Sequence, residues 1–285
     1  MRFNCCFLLI QAVLLIDVES INILGIFPHP GKSHFDVFEP LMTKLAELGH
    51  DVTVISFFPK RNPMPRYTDI DMTGTTPIIT NSLDMDLLMN LTRITKYLSV
   101  NFLAPYAEET CNTLASKQIQ DFLKSDAKFD LVIVELFATN CYLGLLHKVK
   151  APFIFFSSSA MVPWASQNFG NIDNPAYIPT LFMDFTRKMD FFQRVENSIV
   201  YVINKILHQI MLEDPANDSV NQHVSADAPL VEDTARNASL FLVNSHYTLF
   251  GARPLVPNII EVGGIHIKEM KPLAKVTFCS VYSNK

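Results

Sequence analysis

Short apolar runs alternate with amphipathic segments along the first part of the chain. Residues 21–27 are apolar and rich in β-branched and aromatic side chains, which is typical of a buried strand. After a loop rich in Pro and Gly, apolar residues recur at helical spacing: Phe35, Phe38, Leu41, Met42, Leu45 and Leu48. Gly49 then ends this helix, and Val52 begins a second strand. The pattern predicts a β-α-β unit within a parallel sheet, joined by a right-handed crossover.

The turn between this first strand and the first helix carries the first candidate for chemistry. Ser33 is a suitable helix cap, with Asp36 three residues later, and His34 follows Ser33 directly. In open α/β sheets, ligands bind beside the carboxyl ends of the strands, where this turn lies. The positive end of the helix dipole disfavours an imidazolium ion, so we expect His34 to stay neutral and able to accept a proton. The alternative is a loop histidine without a catalytic role.

The same alternation predicts further elements along the chain. They are buried strands at residues 129–135, 151–157 and 240–244, a short strand at 76–80, helices at 84–100 and 106–123, and a long loop at 59–74. The strand at 129–135 is almost wholly apolar and is expected at the centre of the sheet. Glu135, Thr139 and Asn140 lie at or just after its carboxyl end, so they are expected at the same crevice as His34.

Residues 184–211 combine bulky apolar and charged side chains at helical spacing. The apolar ones fall on one face: Phe192, Val195, Ile199, Val202, Ile203, Ile206 and Ile210. We expect this face to pack on the core of the domain. Peripheral contact with a membrane is the alternative interpretation, and the acidic residues in the segment weaken it.

Three motifs carry a resemblance to a known family. They are Gly25-Ile26-Phe27-Pro28, Ser33-His34-Phe35 and Leu48-Gly49-His50-Asp51-Val52-Thr53. Together they resemble the opening of an insect-type UDP-glycosyltransferase, of the family that includes the glucuronosyltransferases. The resemblance continues to about Lys268. It implies two Rossmann-like domains in the GT-B arrangement, and it makes His34 the base for inverting transfer of a hexosyl group to a small lipophilic hydroxyl acceptor.

The resemblance also implies how the chain is divided and what it binds. Residues 21–267 correspond to the acceptor-binding domain and 268–285 to a shortened linker with a divergent tail, and residues 1–20 are assigned to a signal peptide from their own composition. Because the His-Gly-Gly motif of the donor domain does not occur, we expect a truncated chain that is inactive alone. The UDP-sugar is a co-substrate, and neither a cofactor nor a metal is implied. Acceptor contacts are assigned to Ser33, Phe35, Thr139 and Trp164.

One position departs from the family pattern. A catalytic histidine needs a carboxylate that fixes its tautomer and balances the charge of the imidazolium. Insect-type relatives carry Asp where this chain has Asn140, whereas other members carry Asp where this chain has Glu135. Either Glu135 is the partner of His34, or the pair is broken and Asn140 only orients the ring. A solvated acid at the end of a strand is the structural alternative for Glu135.

Composition narrows the class of protein. The 285 residues are 49% hydrophobic and 18% charged, which supports a large buried core and argues against disorder. The net charge of -5 gives no broad basic surface, so a nucleic acid partner is not expected. An unrelated nucleotide-binding domain is disfavoured because neither GxGxxG nor a P-loop follows the first strand. A non-catalytic acceptor-binding module that pairs with full-length relatives remains the main alternative to an enzyme.

Features of the secretory pathway recur in the sequence. The apolar run at residues 5–16 has the length of a signal h-region. Glycosylation sequons begin at Asn90, Asn217 and Asn237. Once the signal peptide is removed, three cysteines remain at spacings unlike a metal site, and we expect free or buried thiols: Cys111, Cys141 and Cys279. The expected location is the endoplasmic reticulum lumen, in association with its membrane, or outside the cell.

Overall fold

A computed structural model describes residues 19–80, 97, 99–171, 173–180 and 183–268 of the chain. The described residues form one seven-stranded parallel sheet. Its strands are Asn22–Phe27 (β1), Asp51–Ser56 (β2), Tyr67–Asp71 (β3), Leu131–Glu135 (β4), Phe153–Ser157 (β5), Leu240–Val243 (β6) and Ile259–Glu261 (β7). Their order across the sheet is β3-β2-β1-β4-β5-β6-β7. The predicted α/β class with a parallel sheet is confirmed.

Helices cover the sheet on both faces. The α-helices are Lys32–Glu47 (α1), Ala104–Asn112 (α2), Lys117–Lys124 (α3), Leu145–Val149 (α4), Phe191–His208 (α5), Asp214–His223 (α6), Val231–Ala235 (α7) and Tyr247–Phe250 (α8). Short 3-10 turns occupy Ser99–Phe102, Thr113–Ala115, Asn140–Gly144 and Ser166–Phe169, and a π-helical turn occupies Gln209–Glu213. Within the described ranges, no helix combines the length and the apolar character needed to cross a membrane.

The β-α-β unit forms as the apolar pattern predicts, but its helix begins differently. Gly31 is the N-cap of α1 and provides no side-chain hydrogen bond, so the prediction that Ser33 caps the helix is wrong. Lys32 forms an ion pair with Asp36 across the first turn instead. At the other end, Gly49 has a φ of +98°, which glycine adopts readily, and the predicted end of the helix is confirmed.

Two other predicted boundaries are wrong for local reasons. The predicted loop at 59–74 contains β3, an edge strand in which only Tyr67 is buried, so its apolar signal is weak. The single helix predicted at 106–123 is divided into α2 and α3, because Ser116 takes an extended conformation and caps α3. The predicted strand at 76–80 is reduced to an isolated bridge between Gly31 and Ile79. Most of the helix predicted at 84–100 falls outside the described residues.

Helix α5 is oriented opposite to the prediction. Six of the seven apolar residues expected on the core are exposed: Phe192, Val195, Ile199, Val202, Ile206 and Ile210. The face that packs inward is mostly polar and carries Asn197, Tyr201, Asn204 and His208. Asn197 fixes this orientation, because its side chain donates to two backbone carbonyls and accepts from the Thr180 amide at 2.7 Å. The core interpretation of the apolar face is therefore wrong.

A disulfide joins Cys111 in α2 to Cys141 in the turn that follows β4. Both half-cystines are buried. The expectation of free thiols is wrong for this pair, since parity and spacing in the sequence do not show which distant segments the fold brings together. The bond ties an outer helix to the turn at the carboxyl end of the central strand.

We expect the double variant Cys111→Ala/Cys141→Ala to lose about 3 kcal/mol of free energy of unfolding in a urea titration. The two residues are 30 positions apart, so the cross-link restricts a sizeable loop of the unfolded chain. Addition of a reductant should destabilise the wild-type chain by a similar amount and leave the variant unchanged. Equal stability of the oxidised wild type and the variant would show that the bond contributes nothing.

Candidate active site

The two titratable residues singled out by the sequence lie at the point where the strand order of the sheet reverses. The chain runs outward from β1 to β2 and β3, and it then returns to place β4 on the other side of β1. His34 lies in the first turn of α1, just after β1, whereas Glu135 is the last residue of β4. Such a switch point opens a crevice between adjacent strand ends, which is the usual ligand site of an open α/β sheet.

His34 and Glu135 are in direct contact across this crevice. His34 Nδ1 lies 2.6 Å from Glu135 Oε1. A carboxylate can only accept a hydrogen bond, so Nδ1 carries the proton and the lone pair resides on Nε2. The Glu135 side chain is fully buried, and that of His34 is 18% exposed. The pair therefore has the geometry of a base whose tautomer is fixed by a buried acid, with the histidine as its accessible member.

Two hydroxyl groups complete this corner of the sheet. Ser158 Oγ lies 2.8 Å from His34 Nδ1 and 3.5 Å from Glu135 Oε1. Thr139 is buried and donates to the backbone carbonyl of Glu135 at 3.2 Å, which holds the turn after β4. Ser158 follows β5, the neighbour of β4, and we did not identify it as a site residue from the sequence. Its position in the run Ser157-Ser158-Ser159 after a predicted strand was the available signal.

Aromatic rings enclose His34 on its other sides. The rings of His29 and His34 lie 3.9 Å apart, centroid to centroid, and Phe137 meets His34 edge-on at 4.5 Å. His29 is buried, and burial together with the nearby His34 lowers its pKa to about 4, against the opposing effect of Glu135. At neutral pH His29 is therefore an uncharged ring. Neither His29 nor Phe137 was assigned a role from the sequence, although both lie in turns at the predicted crevice.

The structure distinguishes between the two candidate partners of His34. Glu135 makes the hydrogen bond to the imidazole. Asn140 is buried in the 3-10 turn after β4, and its Oδ1 has no hydrogen-bond partner. The alternative in which Glu135 is a solvated strand-end acid is wrong, because its side chain is inaccessible to solvent. A catalytic contribution from Asn140 stays a prediction that this geometry does not support.

The residues assigned to acceptor binding are distributed over different environments. Ser33 is exposed in the first turn of α1. Phe35 is buried among core aromatic rings, 6.2 Å from Phe27 and 5.6 Å from Phe58. Trp164 is buried and stacks on His208 at 4.7 Å between ring centroids. Thr139 supports the backbone of β4, as described above, and contact of any of the four with an acceptor stays a prediction.

The ring stacked on Trp164 belongs to a second buried pair of titratable residues. His208 Nδ1 lies 3.6 Å from Glu213 Oε1, at the π-helical turn after α5. Burial lowers the pKa of His208 to about 3 and raises that of Glu213 to about 7. His208 is therefore neutral at physiological pH, and it supports Trp164 as an uncharged aromatic surface.

The described sequons differ in accessibility. Asn237 is exposed in the turn after α7, and its side-chain amide donates to the Asp233 carbonyl at 3.1 Å. Asn217 lies within α6, where its amide group binds both Glu232 and the Val231 backbone amide. Asn90 lies outside the described residues. Modification of any of them stays a prediction.

The site as a whole can abstract a proton from a hydroxyl group that reaches His34 Nε2. Glu135 holds the opposite nitrogen and carries the charge that balances the resulting imidazolium. Phe137 gives the site an apolar wall next to the base. Among the residues described, no three His, Cys, Asp or Glu side chains gather in an arrangement able to hold a metal ion.

Comparison with known proteins gives a consistent set of matches. The family model "UDP-glucoronosyl and UDP-glucosyl transferase" matches residues 67–283. UDP-glucosyltransferase 2 of Dactylopius coccus is 35% identical over 275 residues, covering 96% of this chain and 53% of that protein. UDP-glucuronosyltransferase 3A2 of Homo sapiens is 27% identical over 280 residues, covering 93% of this chain and 51% of that protein. A solved structure, the glycotransferase of kitacinnamycin, aligns with a TM-score of 0.44 at 11% identity. The alignment covers 86% of this chain and 52% of that structure. The chain spans about half the length of the curated relatives it matches.

Proposed function

The chain belongs to the UDP-glucuronosyl and UDP-glucosyl transferase family, and we propose that it forms the acceptor-binding half of a GT-B glycosyltransferase. The observation that carries this proposal is the hydrogen bond between His34 and Glu135 at the switch point of the sheet. A fixed tautomer, a buried balancing charge and an accessible Nε2 are what activation of a hydroxyl nucleophile requires. The remaining half of the relatives is the proposed source of the residues that bind the UDP-sugar.

The proposed reaction is a single displacement. His34 Nε2 takes the proton from the acceptor hydroxyl while the acceptor oxygen bonds to the anomeric carbon of the sugar. The bond from that carbon to UDP breaks, and the diphosphate keeps its electron pair. Glu135 stabilises the imidazolium through Nδ1 without itself taking a proton. Because attack comes from the face opposite to UDP, the configuration at the anomeric carbon inverts.

The proposed acceptors are small lipophilic alcohols or phenols. Phe137 lies against the base, and the neutral ring of His29 lies beside it, so the surroundings of His34 favour an apolar molecule that carries one hydroxyl group. Precise placement of this hydroxyl between Nε2 and the donor sugar would supply a large share of the rate enhancement. We therefore propose that the 285 residues, assayed without the remaining half of the relatives, transfer no sugar.

The experiment that tests this function compares two proteins with 1-naphthol and UDP-glucose. One is the 285-residue chain, and the other joins residues 1–268 to the remaining half of UDP-glucosyltransferase 2 of Dactylopius coccus. We expect the joined protein to form naphthyl glucoside and the chain alone to form none. Turnover by the chain alone would overturn its proposed inactivity. A joined protein that binds both substrates but transfers no sugar would contradict the proposed role of the site.

We also propose that the outer face of α5 contacts a membrane surface. Phe192 is 78% exposed, and the apolar face continues through Ile199 to Ile210 in the π-helical turn that follows α5. The inward side of the helix is held by the hydrogen bonds of Asn197, so this face is kept outward. Exposed apolar stripes of this size are unfavourable in water, whereas a bilayer interface would bury them.

Flotation with vesicles of phosphatidylcholine and phosphatidylserine tests this contact. We expect Phe192→Ser to weaken vesicle binding by about 10- to 100-fold, since burial of one Phe side chain is worth about 1.5–3 kcal/mol. Leu48→Ser is the control, because Leu48 is also exposed but lies at the end of α1. Equal binding by wild type and Phe192→Ser, or an equal loss in both variants, would argue against a membrane face on α5.

The proposed location is the endoplasmic reticulum, with release from the cell as the alternative. A buried disulfide between Cys111 and Cys141 is typical of an oxidising compartment. The exposed sequon at Asn237 also suits passage through the secretory pathway. A glycosidase-sensitive mass shift that Asn237→Gln removes would support this location, and a reduced, unglycosylated protein from its native cells would contradict it.

A further inference from the structure

His29 packs closely against the proposed base, His34, and no role has yet been given to it. Its ring lies 3.9 Å from that of His34, tilted by 36°, and it also meets Phe137 edge-on at 5.3 Å. His29 is buried, and its Nδ1 has no hydrogen-bond partner. A buried polar ring that makes ring contacts but leaves a nitrogen unpaired carries a cost, and such a cost calls for an explanation.

The loop that carries His29 is built closely around this ring. A Cβ atom on Gly31 would lie 2.9 Å from both Cδ2 and Nε2 of His29, so a side chain at that position would displace the imidazole. The backbone amide of Ile79 donates to the Pro30 carbonyl at 2.9 Å, which fixes the loop from outside. Gly31 is also the N-cap of α1, the helix that carries His34. The positions of the two histidines are therefore coupled through a few residues of backbone.

The charge state of His29 suits a place beside a base that becomes cationic. Burial is the main reason that its pKa is lowered to about 4, and the charges that act on it are those of His34 and Glu135. The ring is thus neutral when His34 takes up a proton. A cation at this distance from the His34 imidazolium would oppose its formation, whereas a neutral ring does not.

We propose that His29 is a positioning residue for His34, whose neutral ring fixes the plane of the catalytic imidazole so that Nδ1 stays on Glu135 and Nε2 on the acceptor side. A competing hydrogen bond is available to this same nitrogen, since Ser158 Oγ lies 2.8 Å from Nδ1 and can donate as well as accept. Without the His29 ring, His34 can turn and share its proton between both nitrogens. That this orientation matters for catalysis rests on the function proposed above. That His29 holds the His34 ring in place does not depend on that function.

The direct test is the tautomer of His34 in the 285-residue chain, read from the NMR shifts of isotope-labelled ring nitrogens above neutral pH. We expect the Nδ1–H form in the wild type and in His29→Phe, which keeps a neutral ring in place. His29→Ala should give a mixture of both tautomers. Gly31→Ala should do the same through displacement of His29, and the double variant should match His29→Ala alone.

An unchanged His34 tautomer in His29→Ala and Gly31→Ala would overturn the proposal, even if both variants lost thermal stability. If His29→Ala does not fold, the two other variants decide the same question, because Gly31→Ala should give mixed tautomers and His29→Phe should keep the wild-type tautomer. In the joined protein, we expect His29→Ala to lower kcat by about 10- to 100-fold with little change in KM for UDP-glucose. If the His34 tautomer shifts in His29→Ala but the wild-type joined protein transfers no sugar, only the proposed function is rejected. If the joined protein transfers sugar and His29→Ala leaves that transfer unchanged, only this inference is rejected.

Discussion

Replacement of His34 by alanine is expected to lower kcat/KM for glucosyl transfer in the joined protein by about 10²–10⁴-fold. The variant removes the group that takes the proton from the acceptor hydroxyl in the proposed mechanism. Affinity for 1-naphthol should change by only a small factor, because the proton is transferred in the transition state and not on binding. Initial rates and equilibrium binding of the acceptor measure the two effects separately.

His223→Ala is the matched control for this variant. His223 is the last residue of α6, and it contributes its backbone carbonyl, not its ring, to the hydrogen bond with Gln120. We expect wild-type rates from this variant. Full activity of His34→Ala would remove the base from the proposed mechanism, and equal loss in both variants would indicate an indirect effect on folding.

Replacement of Glu135 by glutamine is expected to lower kcat/KM for glucosyl transfer by about 10³–10⁴-fold. Glutamine preserves the size of the side chain, but it removes the charge and can donate to Nδ1, which favours the wrong tautomer of His34. Pre-steady-state rates at saturating UDP-glucose would isolate this effect on the chemical step. The loss should be nearly as large in Glu135→Gln/His34→Ala as in His34→Ala alone, since the two residues act as a unit.

Asn140→Asp is the informative comparison, because it introduces the acid that the resemblance leads us to expect at this position. Asn140 is buried, and the hydrogen bond to His34 is already made by Glu135. We expect no gain in rate and a loss of about 1–3 kcal/mol in stability, since the new carboxylate would be buried without a partner. If Asn140→Asp were faster than the wild type and Glu135→Gln had no effect, Glu135 would not be the residue that supplies the balancing charge.

The sequence was sufficient to predict the position of the site where the local apolar pattern and the topology of the sheet agree. The apolar run of β1, the helical spacing of α1 and the position of His34 between them define a strand end at which a base can lie. The acidic end of the apolar strand β4 brought Glu135 to the same edge of the sheet. Because parallel strands share that edge, contact between these two residues follows from topology once the strand order is known.

The misses arise where distant segments decide the outcome. Helix α5 has a clear apolar face, but periodicity cannot show which side is turned inward, and Asn197 makes the polar side the buried one. The disulfide joins Cys111 to Cys141 across helix α3 and strand β4, which spacing alone does not reveal. Ser158 reaches His34 from the turn after β5, through the packing of neighbouring turns. His29 is close to His34 in sequence, but the contact between their rings depends on the conformation of the loop.

The configuration of the product tests the central claim most directly, namely that a base-activated hydroxyl displaces UDP in one step. NMR of the naphthyl glucoside formed from UDP-α-glucose by the joined protein gives the anomeric configuration. A single displacement at the His34 site predicts the β-glucoside. An α-glucoside would require two displacements or a different face of attack, and it would contradict the role assigned here to His34 and Glu135.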